Sequence, residues 1–250
     1  MKKFLVLTLL VMVTFLIFTG CKQTPKTLKV GTSADYPPFE YVDEKTGDFI
    51  GFDMDLIRLV GEKAGYEVEI VNMDFDSIIP SLEKKKIDAA IACITITEDR
   101  TKIAPAIPYW DTGQSIIVKG DSAFKPLSLG DLSGKKVGVQ KGTTGEQILD
   151  EGIENNEATN VDVRRYTSVI LGMLDLQNGA IDAMIIDTPV ANLYGTKYNY
   201  VVTTELAPET AGIFVDKDNQ KLFDDLKKAL DEIKKGDEWQ QLVEKYFSGT

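Results

Sequence analysis

The sequence predicts an α/β protein, and three observations support that class. From residue 28 onward, short runs rich in β-branched residues alternate with runs of helical period, as βαβ units require. Behind an apolar N-terminal stretch about 220 residues remain, enough for one large or two modest domains. The composition, 43% hydrophobic and 27% charged, is that of an ordinary globular chain, and no repeat or low-complexity segment interrupts it.

Taken in order, strands are expected over 28–31, 67–71, 87–94, 115–118, 136–139, 161–166, 180–186 and 212–215, with helices between them. Asp53 precedes Met54, Leu56, Ile57, Val60 and Ala64, whose spacing lines one helix face, and Gly65 is a natural stop. Asp76 is expected to cap the run Ile78, Ile79 and Leu82. The C-terminal part reads as two amphipathic helices, 219–235 and 237–247, parted by Gly236, with Leu222, Leu226, Leu230 and Ile233 facing inward. Turn chemistry at 110–113 and at 206–211, which contains Pro208, marks two places for the chain to cross between domains. One lobe is then discontinuous, 27–111 plus 212–250, and the other is 112–211, with hinge segments near 111–115 and 206–211.

Lys2 and Lys3 precede an apolar run from Phe4 to Phe18 that closes on Thr19, Gly20 and Cys21. At about 15 residues the run is shorter than the roughly 20 that cross a bilayer as a helix, so residues 1–20 read as a cleaved export signal. Its removal takes Lys plus Arg from 28 to 26 against 39 Asp plus Glu, a net charge near −13. Such a surface repels nucleic acid and anionic lipid. The sequence has no histidine, and Cys93, one of only two cysteines, sits in the apolar run 89–94 that reads as a buried strand. Histidine triads, histidine metal sites and thiolate zinc sites are thereby excluded, and no metal or cofactor is expected.

Four segments carry a more specific signal: GTSADYPPFE at 31–40, GFDMDL at 51–56, TITEDR at 95–100 and VGVQKGTT at 137–144. In content, order and spacing they resemble family 3 of the bacterial solute-binding proteins, the periplasmic polar amino-acid receptors of ABC importers. The resemblance covers essentially the whole mature chain. It implies the type II periplasmic binding protein fold, an α/β clamshell of two lobes, each with a central sheet flanked by helices, joined by two hinge strands. The residues FTGC at 18–21 resemble the lipobox of bacterial lipoproteins, which implies a lipid anchor on Cys21 and a tether over 21–26. A disulfide between Cys21 and Cys93 is the alternative, disfavoured by the apolar setting of Cys93. Attached acyl chains would hold the protein on a bacterial membrane outside the cytoplasm, in the periplasm or on the outer face of the cell membrane.

The chemistry of capture can be argued from the residues. A free amino acid presents a carboxylate and an ammonium on one carbon, so a receptor needs a bidentate cation for one and an anion for the other. Arg100 lies three residues after Thr97, a helix N-cap candidate, near the positive end of a helix; a surface arginine paired with Glu98 or Asp99 is the bland alternative. Asp187 ends an apolar strand, where α/β sheets present ligands, or else caps the helix that follows. The resemblance gives Arg100 the α-carboxylate and Asp187 the ammonium. It adds Thr95, Gln140 and Thr144 as polar contacts, backbone groups of Ala92 and Cys93 for the ammonium, and Tyr36 and Phe75 as an aromatic sandwich. Many relatives carry Ser or Gly in the stretch around Cys93, so that residue is a departure. Trp110 is expected to add a further wall near the hinge.

Ser33 stands where receptors for basic amino acids often carry Asp, and Glu40, Asp74 and Asp76, nearby in sequence, are the candidates for a replacement counter-charge. Aromatic stacking also suits a guanidinium, so arginine ranks first, then other basic amino acids, glutamine and cystine. The expected cycle is capture by Arg100, Thr95, Tyr36 and Phe75, then closure of the second lobe to add Thr144 and Asp187. The closed monomer would dock on an ABC permease. The same fold also hosts cyclohexadienyl dehydratases, for which Glu40, Lys141 and Glu146 are the available acid/base groups. The intact amino-acid clamp argues for binding rather than catalysis.

Overall fold

The computed structural model describes residues 26–248. The first half of the chain gives β1 (Lys26–Thr32), β2 (Asp35–Tyr36), β3 (Glu40–Val42), β4 (Phe49–Ile50), α1 (Phe52–Ala64) and β5 (Tyr66–Asn72). It continues with α2 (Ile78–Glu83), β6 (Ala89–Ala90), α3 (Glu98–Ile103) and β7 (Ala106–Lys119). Then follow β8 (Lys136–Gln140), α4 (Thr144–Glu154), β9 (Asp162–Tyr166), α5 (Val169–Asn178), β10 (Ala183–Asp187) and α6 (Thr188–Tyr198). The chain returns through β11 (Tyr200–Val215), α7 (Gln220–Ile233) and α8 (Asp237–Phe247).

The main sheet has the order β5-β1-β6-β11-β7-β10-β8-β9, with β7 and β11 antiparallel at its centre. The fold is the two-lobed α/β clamshell expected of the sequence. One half is built on the parallel set β5, β1 and β6, the other on the parallel set β10, β8 and β9, and β7 and β11 run through both. Met54, Leu56, Ile57 and Val60 bury one stripe of α1 against β5 and α7, and Gly65 ends the helix at φ 84. On α7 the buried stripe is Leu222, Leu226, Leu230 and Ile233, and the Asn219 side chain accepts from the Leu222 N–H at 3.2 Å.

Several local expectations are corrected. The run 87–94 is not one strand: only Ala89–Ala90 pairs, although the chain stays buried through Ile94. Beyond the pairing, Cys93 enters the left-handed region at φ 45 and its N–H donates to Asp53 Oδ2 at 2.8 Å. A tertiary hydrogen bond has outcompeted strand propensity there. Asp53 does not precede its helix but lies inside α1, which opens at Phe52 behind Gly51. Asp76 makes no cap; it sits in the 3₁₀ turn Phe75–Ser77, and Ser77 takes the capping position of α2.

The stretches 110–113 and 206–211 are the middles of β7 and β11 rather than turns. Pro208 is accommodated opposite Gly113, where an added Cβ would lie 2.6 Å from the Ala207 carbonyl oxygen. The register slips between Glu205 and Ala207 and again between Ala211 and Gly212, and such bulges tolerate a proline and bend the strand.

Candidate functional site

A narrow cavity lies between the two halves where β7 and β11 pass from one to the other. From the first half it is lined by Ser33, Asp35 and Tyr36 on the loop and short strand after β1, by Glu40, and by Phe75 of the 3₁₀ turn. Ala92, Cys93 and Thr95 join them from the buried segment after β6, with Arg100 from α3. The second half supplies Gln140, Thr143, Thr144 and Asp187, and β7 adds Gln114. All eleven residues singled out as ligand contacts meet here. Asp35, Gln114 and Thr143 were missed, as was Glu209, whose carboxylate reaches the same place from β11.

At one end of the cavity the Arg100 guanidinium donates to the Thr95 carbonyl and to the Gly142 carbonyl, each at 2.7 Å, and lies 5.6 Å over the Phe75 ring. The Thr97 side chain caps α3 by accepting from the Arg100 N–H. Glu98 and Asp99 pair with Lys102 instead, so the surface-pair alternative for Arg100 is not what the fold builds. Burial lowers the Arg100 pKa, which the charges of Glu209 and Asp187 oppose, and the guanidinium stays charged at neutral pH. Thr95 and Thr144 hydroxyls stand 3.4 Å apart beside it, Thr144 at the first turn of α4, where N–H groups favour an anion.

At the other end Asp187 closes β10. It occupies the N-cap position of α6 but makes no side-chain cap bond. Its carboxylate instead accepts from the Tyr36 hydroxyl at 2.5 Å and the Thr112 hydroxyl at 3.0 Å. Burial pushes its pKa up to about 6 despite those donors, and the Glu209 charge adds to the rise.

The floor holds a second carboxylate pair. Glu40 is 1% exposed and Asp53 fully buried. Asp53 Oδ2 accepts from the Cys93 N–H and from the Tyr109 hydroxyl at 2.6 Å. Neither oxygen of Glu40, nor Asp53 Oδ1, receives a hydrogen bond from an N–H or hydroxyl group. Burial holds Glu40 well above the usual carboxylate range, and the charge of Asp53 raises it further; burial pushes Asp53 itself up to about 6. A neutral Glu40 hydrogen-bonded to Asp53 reconciles two carboxyls in one apolar floor.

Residues 28–249 match the model of the bacterial extracellular solute-binding proteins, family 3. The chain belongs to that family. It is 33% identical to the arginine-binding extracellular protein ArtP of Bacillus subtilis (strain 168) over 261 residues, covering 100% of this chain and 99% of that protein. An ancestral arginine-binding protein bound to arginine superposes with a TM-score of 0.83 at 39% identity, over 90% of this chain and 100% of that one. The ancestral amino acid-binding protein AncCDT-1, a precursor of cyclohexadienyl dehydratase, gives a TM-score of 0.80 at 36% identity, over 88% and 95%. Membership of an extracellular family places this solute-binding protein outside the cytoplasm. Cys21 and the expected export signal fall outside the described residues.

Three of the remaining expectations are settled by where the side chains go. Trp110 forms no wall of the solute cavity: its ring stacks on Phe247 at 4.4 Å between centroids and meets Phe52 at 5.1 Å, on the opposite face of β7. Glu146 is turned away, bonded to Arg165 at 2.6 Å and to the Gly142 N–H at 2.7 Å, and Lys141 does not line the cavity. Cys93 stays a thiol whose pKa burial holds well above its usual value.

In this solute-binding protein the two halves touch directly across the cavity. Asp35 Oδ2 accepts from the Val169 N–H at 3.2 Å, at the first turn of α5, and the Tyr36–Asp187 bond also spans the gap. Gly142 also packs closely against the other half. At φ 76 it suits glycine, and an added Cβ would lie 2.9 Å from Asp76 Cβ and 3.0 Å from Asp76 Cα of the other half. Gly142→Ala is therefore expected to oppose closure and lower solute affinity roughly tenfold, about 1.4 kcal/mol. Calorimetric titration checks this; unchanged affinity would mean that the halves close without the contact.

Proposed function

We propose that the cavity captures one free polar amino acid, arginine first, then another basic amino acid, with glutamine and cystine as alternatives. The observation that carries this reading is Glu40, whose two buried oxygens line the cavity without an N–H or hydroxyl donor. Buried acceptors of that kind call for a ligand that brings donors, and a guanidinium brings five. Asp35 and Asp187 also outnumber Arg100 among the charged groups on the lining, and Glu40 is a further carboxyl that can ionise beside an arriving cation, which suits a ligand with a cationic side chain. Two of the three similar proteins quoted above are named as arginine-binding, which points the same way.

In this reading Arg100, Thr95 and the first turn of α4 with Thr144 hold the carboxylate. Asp187 holds the ammonium, with the Ala92 and Cys93 backbone beside it. Tyr36 and Phe75 flank the side chain, and Glu40, Ser33 and Gln140 receive its end. The lobes are 27–111 with 212–250, and 112–211, hinged near 111–115 and 206–211. Closure around the ligand presents a monomer to an ABC permease, and acylated Cys21 keeps it on the membrane. Catalysis is not part of the reading: Glu146 is committed to Arg165, and Lys141 stands off the cavity, so only Glu40 of the three acid/base candidates is in place. A turnover assay on arogenate separates the two, because a dehydratase would consume it and a receptor would not.

Thermal unfolding against all twenty amino acids, ornithine and cystine tests the ligand class. A ligand at a hundred times its Kd stabilises the native state by about 2.7 kcal/mol, a rise in Tm of several degrees for a chain of this size. The largest shift is expected with arginine. No shift with any of them would remove the amino-acid reading.

A pH dependence follows from Asp187. Its folded pKa of about 6 lies above the ordinary 3.8, so its contribution to the stability of the empty protein grows as pH falls through 6 toward 3.8. An ammonium beside it favours the ionised form, so binding expels a proton near pH 6 and affinity falls on acidification from about pH 7 to about pH 5. Titrations in two buffers of different protonation enthalpy would show the released proton; constant affinity across that range would discard Asp187 as the ammonium partner.

A further inference from the structure

The donors assigned to the ligand's carboxylate already serve a carboxylate of the chain itself. Glu209 Oε2, on β11, accepts from the Thr95 hydroxyl at 2.7 Å, the Thr144 hydroxyl at 3.0 Å and the Gln114 side-chain amide at 3.1 Å. Thr95 belongs to one half of the molecule, Thr144 to the other, and Gln114 and Glu209 to the two strands shared by both. One side-chain oxygen thus ties both halves at the hinge, in the place where an α-carboxylate would have to sit. The Glu209 charge is also felt by Arg100, the cation beside this spot.

Two carboxylates cannot share these hydroxyls. Each hydroxyl has one proton to donate, and two like charges in one partly buried place repel. Glu209 has somewhere to go: beyond it a wider hollow opens on the hinge face, lined by Asp111, Thr112, Pro208 and Thr210 as well as by Glu209 itself. We infer that Glu209 is an internal stand-in for the ligand's carboxylate, joining the two halves through Thr95 and Thr144 and swinging out toward the hinge hollow when an amino acid takes its place. Nothing in the family resemblance assigns a role to this residue. The exchange makes capture a competition, so Glu209 sets affinity below what the donors could otherwise give. It also distinguishes ligands: a molecule without a carboxylate has no reason to displace it.

The inference rests on the amino-acid reading, and its test is built to fail separately. Arginine and agmatine, which is arginine without the carboxylate, are titrated calorimetrically into the wild-type protein, Glu209→Ala and Glu209→Gln, with circular dichroism melts to verify folding. The expected result is arginine binding tighter by roughly tenfold in Glu209→Ala and by less in Glu209→Gln, which keeps shape and an acceptor but loses the charge. Agmatine is expected to bind the variants no better than wild type. Arginine affinity unchanged or weakened in both variants, or an equal gain for agmatine, overturns the exchange while leaving the ligand assignment intact. Failure of the wild-type protein to bind arginine overturns the ligand assignment and the exchange with it.

Discussion

Arg100→Ala is expected to weaken arginine capture by at least about a hundredfold, the cost of truncating one partner of a desolvated, hydrogen-bonded charge pair. The size follows from how the guanidinium is held. Two of its donors are fixed by the carbonyls of Thr95 and Gly142 and its plane by Phe75, so the rest of the fork can meet a carboxylate without further loss of rotamer freedom. Lysine at the same position would restore charge but not the fork, and Arg100→Lys should recover only part of the loss. Titration calorimetry measures both, and a dissociation constant for Arg100→Ala within threefold of wild type would show that the carboxylate binds elsewhere. Because the Arg100 side chain also joins Thr95 in one half to Gly142 in the other, the variant should close less readily as well as bind less tightly.

Glu40→Gln is expected to have a comparable effect on arginine and an opposite one on stability. The substitution exchanges a buried, neutral carboxyl for an amide of the same shape that can still donate to Asp53. The unliganded protein should therefore melt at the same temperature or higher. An arriving guanidinium, by contrast, favours ionisation of Glu40, and in the variant it has no carboxyl to ionise beside it, a loss worth roughly 2–5 kcal/mol in a buried setting. Arginine affinity should fall by about a hundredfold while glutamine, with no charge to match, binds as well as before or better. A parallel fall for both ligands would mean that Glu40 supports the shape of the floor rather than reading the side chain.

The class of fold was legible because the buried stripe of α1, the paired runs of β1, β5, β8 and β10, and the caps at Gly65, Thr97 and Asn219 are local features. What could not be read was whatever depends on a partner distant in sequence. Asp53 and Asp76 both look like helix caps. One is claimed instead by the Cys93 N–H and Tyr109, and the other is displaced by a 3₁₀ turn. The run 87–94 looks like a strand because burial alone makes it apolar. Site residues carried by the four motifs were named correctly as neighbours, whereas Gln114 and Glu209 were not. Both sit on strands whose length was hidden by Gly113 and Pro208, and a polar residue in the middle of an unrecognised strand gives no sign of which side it faces. Trp110 failed for the same reason: on a strand with a bulge beside it, the face of a side chain is set by the register of β11.

The geometry also bears on motion. Tyr36–Asp187, Asp35–Val169 and Arg100–Gly142 all join the two halves, as does the Thr95–Thr144 hydroxyl contact, so opening the cleft breaks several hydrogen bonds, and each of the first three pairs includes a charged group. A ligand that replaces those bonds with contacts to both halves shifts the population by its differential affinity, and a few kcal/mol suffices to make closure nearly complete.

The most direct measurement is the crystal structure of the protein with arginine. The carboxylate is expected against Arg100, Thr95 and Thr144, the ammonium on Asp187, and the guanidinium on Glu40 between Tyr36 and Phe75. Arginine bound outside this cavity, or in it with its charged ends reversed, would contradict the assignment of the site.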